Sequence, residues 1–250
     1  MTLDGHTVLI TGASGAVGQA CVAVFLERGF RVMMTDCVAP QQTIEGDLAF
    51  VPADVTDRGA MQAVVKATID RFGRIDAAVL AAGIEGPVGP VEEIAEADLD
   101  RVIAVNLKGS LFALQAAMVP MKAQGSGSIV ALSSISGVIG SASLAAYTMS
   151  KHAVVGLVRT AALEAGPSGV RINAVCPGPI ESDMMRRLDR ALSDRYPERT
   201  VGPHGSAPGL PLQRYVTADE VARMIAFLCS DDAASCTGGT YMVDGGFTAK

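Results

Sequence analysis

Tryptophan is missing from the 250 residues and aromatic side chains make up only 4% of them, while Ala, Val and Gly abound. That composition is expected where helices pack closely on a buried parallel sheet. Charge is sparse too: 18% charged residues against 49% hydrophobic ones excludes disorder and points to a large dry core. A net charge of −6 leaves no basic footprint for nucleic acid. No C-x-x-C spacing occurs among Cys21, Cys37, Cys176, Cys229 and Cys236, and His6, His152 and His204 are scattered, so neither a disulfide framework nor a zinc site is indicated. The opening MTLDGHTVLI lacks a basic stretch, and the longest apolar run, Ala77 to Ile84, falls far short of the ~20 residues of a membrane helix. The expectation is a soluble cytoplasmic protein with no membrane or nucleic-acid partner.

What is present is alternation. Apolar or β-branched runs at Thr7–Thr11, Arg31–Thr35, Leu48–Pro52, Ala77–Ala81, Ser128–Leu132, Arg171–Val175 and Thr240–Val243 are separated by helical patterns near 17–28, 57–72, 98–118, 145–165 and 218–229. This is the pattern of repeated βαβ units: a single α/β domain over 1–250, a Rossmann-type doubly wound sheet of about seven parallel strands. The rhythm breaks between Pro177 and about Val216, and residues 184–214 read as a substrate lid. Its Met184, Leu188 and Leu192 recur at helical spacing beside Arg186, Arg187, Arg190 and Arg195. Those arginines either meet an anionic substrate group or form a solvated face balanced by Asp189, Asp194 and Glu198.

Three local features carry chemistry. Tyr147 and Lys151, four residues apart, stack a phenol beside an ammonium on one helix face, and a neighbouring cation lowers a phenol's pKa towards the range useful for proton transfer. The plainer alternative is a surface tyrosine beside a solvated lysine. Gly12, Ser14, Gly15, Ala16, Val17 and Gly18 directly follow the first strand and open the first helix, where a Gly-rich turn cradles a pyrophosphate. Asp36 ends the second strand, placed to accept hydrogen bonds from ribose hydroxyls and to repel a 2′-phosphate, which favours NAD over NADP; otherwise it begins a turn.

With these residues the whole chain resembles a short-chain dehydrogenase/reductase. The family's T-G-x-x-x-G-x-G is matched at Thr11, Gly12 and Gly18, with Ala16 in place of the middle glycine. Asp54 and Val55 resemble its Asp-Val pair at the adenine. Leu80-Ala81-Ala82-Gly83 stands where N-N-A-G is usual, leaving the turn after the fourth strand without its customary amide hydrogen bonds. Pro177, Gly178 and Ile180 resemble the stretch that meets the nicotinamide, with Ser182 in place of a threonine. The resemblance implies a catalytic set of Asn106, Ser134, Tyr147 and Lys151, Ser134 being preferred to Ser133 for its thirteen-residue distance from Tyr147. Tyr147 would be the general acid–base, Ser134 would hold the substrate oxygen, Lys151 would lower the phenol pKa and hold the ribose, and Asn106 would keep a relay water. It also implies a homotetramer acting on a small-molecule secondary alcohol or ketone. The rival readings are a 3-oxoacyl-thioester reductase of the same family and a non-catalytic NAD-binding regulatory protein.

Overall fold

The computed structural model describes residues 5–40, 45–198 and 210–249. Seven strands form one parallel sheet in the order β3-β2-β1-β4-β5-β6-β7: β1 Thr7–Thr11, β2 Arg31–Asp36, β3 Leu48–Pro52, β4 Ala77–Leu80, β5 Gly127–Leu132, β6 Val170–Pro177 and β7 Thr240–Val243. Strand β1 pairs with β2 on one side and β4 on the other, in registers that set Ile10 opposite Met34 and Val79. All five residues of β1 are buried, as befits a strand covered on both faces.

Helices α1 (Ala16–Glu27) and α7 (Ala218–Leu228) cover one face, packing Val17, Val22, Phe25, Val221 and Ile225 over Val8, Ile10 and Val32. The other face holds α2 (Arg58–Phe72), α4 (Ser110–Gln124) and α5 (Ala145–Ala165), whose Met61, Leu114, Met121 and Val158 pack over Leu9, Ile129 and Ile172. Helix starts follow side-chain caps where these exist: Asp57 accepts from Gly59 N and Ala60 N, and Thr217 with Glu220 forms a full capping box.

The expected helix over 98–118 is longer and interrupted. Helix α3 (Glu96–Ile103) runs through a π-turn, Ala104–Gly109, into α4, which passes Pro120 and ends at the left-handed Gly125. Pro120 removes one i→i−4 bond near the helix end, which the surrounding packing tolerates. The 29-residue run Glu96–Gln124 thereby reaches the length and hydropathy of a membrane-crossing helix, against the expectation from apolar runs alone, although Ala113, Leu114, Ala117 and Met121 belong to the core under the sheet. Between β6 and α7, helix α6 (Asp183–Arg195) is the described part of the segment expected to form a lid, and Ile180 forms an isolated bridge with Val216. Residues 199–209 of the lid expectation, with His204, lie outside the described residues.

Candidate active site

Sheet order reverses between β1 and β4, and the crevice beyond the carboxyl ends of such strands is where ligands of open α/β sheets sit. A cavity of about 920 Å³ opens there, reaching from the turn after β1 to the inner face of α6.

At one end lies the glycine turn. Gly12 has φ +65°, and a Cβ on it would stand 2.6 Å from Ala82 N; one on Gly18 would stand 2.1 Å from Gly12 O. Side chains at these two positions would break the packing of the turn on α1 and on the β4 end. Gly15, the N-cap of α1, provides no side-chain cap, and no carboxylate occupies the first turn. An uncapped helix N-terminus facing a cavity fits a phosphate group. Ser14, Ala16 and Val17 line the same wall. Asp36 Oδ2 accepts from Ser14 N at 3.0 Å and Oδ1 from Cys37 N at 2.7 Å, so the carboxylate both braces the turn and faces the cavity. Asp54 also lines it, while its Oδ1 accepts from Thr56 N at 2.8 Å ahead of α2. Val55 is buried against Gly109. The residues present therefore fit a dinucleotide.

In the middle stand Ser134, Tyr147 and Lys151. Ser134 is extended at the end of β5, accepts from Ser136 N at 3.1 Å and hydrogen bonds to the Tyr147 phenol. Ser133, by contrast, is buried and donates to Lys151 O at 2.9 Å. Lys151 lies one turn beyond Tyr147 on α5, its Nζ 5.5 Å from the ring centroid and donating to Leu132 O at 2.9 Å.

The electrostatics overturn one expectation. Burial pushes the Tyr147 phenol up to about 12; the Ser134 hydrogen bond opposes this, and Glu85 and Cys176 add to it. Burial likewise lowers the Lys151 ammonium to about 8, with Cys176 opposing. Helical spacing does bring the cation beside the ring, but desolvation of both groups outweighs that proximity.

Asn106 is buried in the π-turn with its side-chain donors directed to Ile84 O and Ser150 Oγ, both at 3.0 Å, rather than towards Lys151. Its Oδ1 accepts from Ile84 N at 2.8 Å. The turn after β4, expected to lack amide hydrogen bonds, is therefore held by Asn106, with Ala82 N donating to Thr11 Oγ1 at 3.4 Å. Gly83 leaves room here: a Cβ would be 3.3 Å from Asn106 Oδ1 and 3.4 Å from Lys151 Nζ.

Pro177, Gly178 and Ile180 line the far wall, Gly178 packing so closely that a Cβ would meet Asp244 Cα at 2.9 Å. The Ser182 hydroxyl caps α6, accepting from Met185 N at 3.2 Å. Lid arginines find partners other than those expected: Arg187 pairs with Glu85, Arg195 with Glu93 and Arg186 with Asp183. Asp189 has a buried carboxylate oxygen with no partner and burial raises its pKa, so it does not balance the arginines. Glu85, Ser141 and Leu144 also line the cavity. Sequence reading overlooked them; their positions just after β4 and just before α5 were the available signal.

A family model described as enoyl-(acyl carrier protein) reductase matches residues 12–248. Levodione reductase of Leifsonia aquatica is 34% identical over 254 residues, spanning 98% of this chain and 94% of that protein. A crystal structure of levodione reductase matches with a TM-score of 0.91 at 33% identity, covering 98% of each chain. NAD+-bound xylitol dehydrogenase matches at 0.91 and 29% identity over 98% of this chain and 100% of that one. ElxO with NADP bound matches at 0.89 and 29% over 98% and 99%.

Proposed function

This chain belongs to the short-chain dehydrogenase/reductase family of oxidoreductases, and from that premise we propose that it moves a hydride between a secondary alcohol or its ketone and nicotinamide, with NAD preferred to NADP. The observation that carries this reading is the convergence of Ser134, Tyr147 and Lys151 on the cavity whose other end is the uncapped N-terminus of α1.

Nicotinamide nucleotide, when bound, supplies hydride acceptance or donation. Gly12 to Gly18 and Asp36 would hold its phosphate and adenosine parts, Lys151 and the Pro177–Ser182 stretch the nicotinamide part. Ser134 Oγ donates to the substrate oxygen and steadies the charge that develops there. Tyr147 Oη takes the alcohol proton during oxidation and returns it to the carbonyl oxygen during reduction. Lys151, held at Leu132 O beside the ring, would position the nucleotide next to the phenol.

The test is a panel of cyclic, aliphatic, hydroxyacyl and steroid-like secondary alcohols assayed with NAD, in parallel with Tyr147→Phe. Positioned acid–base groups contribute roughly 10²–10⁴-fold, so the variant should keep under about a tenth of kcat while binding NAD normally. Normal turnover in the variant would remove Tyr147 from the chemistry.

A further inference from the structure

Glu85 and Arg187 form a forked ion pair on the cavity wall: Arg187 Nε donates to Glu85 Oε1 at 2.6 Å and Nη2 to Oε2 at 3.2 Å. Arg187 comes from the lid helix and Glu85 from the segment just after β4, and Glu85 has only 21% of its side chain exposed. The fork matters because a guanidinium that would otherwise receive a carboxylate in two-pronged fashion already has one. Among the described residues the other guanidinium lining this wall, Arg186, is paired with Asp183 at 2.5 Å, and Lys151 Nζ is turned to Leu132 O. Against these cations the same wall carries Glu85, Glu181 and Asp183. Among the described residues the rest of this side is mostly apolar, with Ile135, Leu144, Met184, Met185, Leu188 and Leu192 lining the cavity. Glu85 lies close enough to Tyr147 for its charge to act on the phenol, so an anion held next to the reacting carbon would also meet that carboxylate.

Resting on the reading of Tyr147 as the proton-transfer group, we infer that the Glu85–Arg187 pair makes this site select uncharged ketones and alcohols and turn away substrates carrying a carboxylate near the reacting carbon. Specificity here comes from the repulsive member of the pair as much as from the apolar wall. A carboxylate substrate could engage Arg187 only by displacing Glu85 and leaving it unpaired beside the newcomer, and like charges so placed are strongly disfavoured.

The experiment compares 3-oxobutanamide with 3-oxobutanoate, two molecules of nearly the same shape that differ in charge, as substrates and as inhibitors of turnover of the best uncharged ketone in the panel. Wild type should favour the amide by at least about a hundredfold in kcat/KM or inhibition constant. Glu85→Gln keeps the shape and frees Arg187; because the Glu85 charge also acts on the phenol, the readout is the carboxylate-to-amide ratio within one protein, which should rise by roughly tenfold or more, and Glu85→Gln with Arg187→Gln should abolish that gain. A wild-type preference for the carboxylate, equal binding of the two, or an unchanged ratio in Glu85→Gln would overturn the inference. The wild-type comparison stands even if a variant misfolds. Absence of turnover on every panel member would defeat the underlying oxidoreductase reading instead, a distinguishable result.

Discussion

Asn106 holds both polar groups of the Ile84 backbone: its Oδ1 accepts from Ile84 N at 2.8 Å and its Nδ2 donates to Ile84 O at 3.0 Å. The same Nδ2 donates to Ser150 Oγ, which in turn donates to Tyr147 O at 2.7 Å. The amide thus ties the end of β4, the π-turn and the start of α5 into one unit, which places Tyr147 relative to the cavity wall. Asn106→Ala should lower stability by about 2 kcal/mol or more, since it strands a partly buried donor and acceptor at ~1–3 kcal/mol each, and should lower kcat as well. Ser150→Ala, which keeps the Ile84 clasp, should cost less in denaturant unfolding. Equal losses in the two variants would show that the clasp contributes nothing of its own.

Phenol ionisation gives a second test. Because burial holds Tyr147 near 12, the neutral, proton-donating form dominates at physiological pH. At pH 9, well below that value, the phenol stays overwhelmingly neutral. Phenolate difference absorbance between wild type and Tyr147→Phe should therefore be negligible at pH 9 without nucleotide. For turnover with nucleotide saturating, reduction should be flat across neutral pH, whereas oxidation, which needs the phenolate, should climb roughly tenfold per pH unit. A Tyr147 already half-ionised near pH 7 in the nucleotide-free protein would show that Lys151 outweighs burial.

Much of this site was legible because the chemistry lies at the ends of apolar runs that any parallel sheet must bury. The glycine turn follows from the boundary between the first strand and the first helix, the Tyr147–Lys151 pair from helical spacing and Ser134 from the family resemblance, and the expected strands lie within a residue or two of those observed, β6 extending to Pro177. What local spacing could not give was burial and distance. The Tyr147–Lys151 spacing reveals proximity but not the desolvation that reverses the pKa shift. Nor does a 3.6-residue pattern reveal a π-turn, whose extra residue is tied to a contact between Asn106 and Ile84 across 22 positions. The pairs Arg187–Glu85 and Arg195–Glu93 each join residues 102 positions apart, which no local spacing reveals, whereas Arg186–Asp183, three residues apart, was within reach of sequence proximity and was passed over for Asp189, Asp194 and Glu198.

Asp36 should decide the nucleotide. Its carboxylate is fixed by Ser14 N and Cys37 N at the cavity edge, where a 2′-phosphate would meet it. Asp36→Ala should lower kcat/KM with NAD and raise it with NADP, shifting the ratio by about tenfold or more, as expected when a close like-charge contact is removed. A wild type that already favours NADP would reverse this assignment and strengthen the 3-oxoacyl-thioester alternative, whose reductases commonly use NADPH.

Helix α6 is fastened along one side. Arg187 reaches Glu85, Arg195 reaches Glu93 at 2.5 Å, and Tyr196, just past α6, receives a hydrogen bond from Ser143 Oγ at 3.0 Å. The Arg195–Glu93 pair is exposed on both sides, and such ion pairs contribute only about 0–1 kcal/mol; Glu85 is the more buried of the two carboxylates. These contacts are strong enough to favour one position of α6 and weak enough to release it, which suits a gate over a cavity lined by Met184, Leu188 and Leu192. Removing Glu93 as Glu93→Gln should then speed amide exchange along α6 by a few-fold without lowering global stability, and NAD with a true substrate should slow that exchange in both proteins. Exchange in α6 that matches the core helices α4 and α5, and that ignores both the mutation and the ligands, would make the helix a fixed wall, and substrate would have to enter by another side.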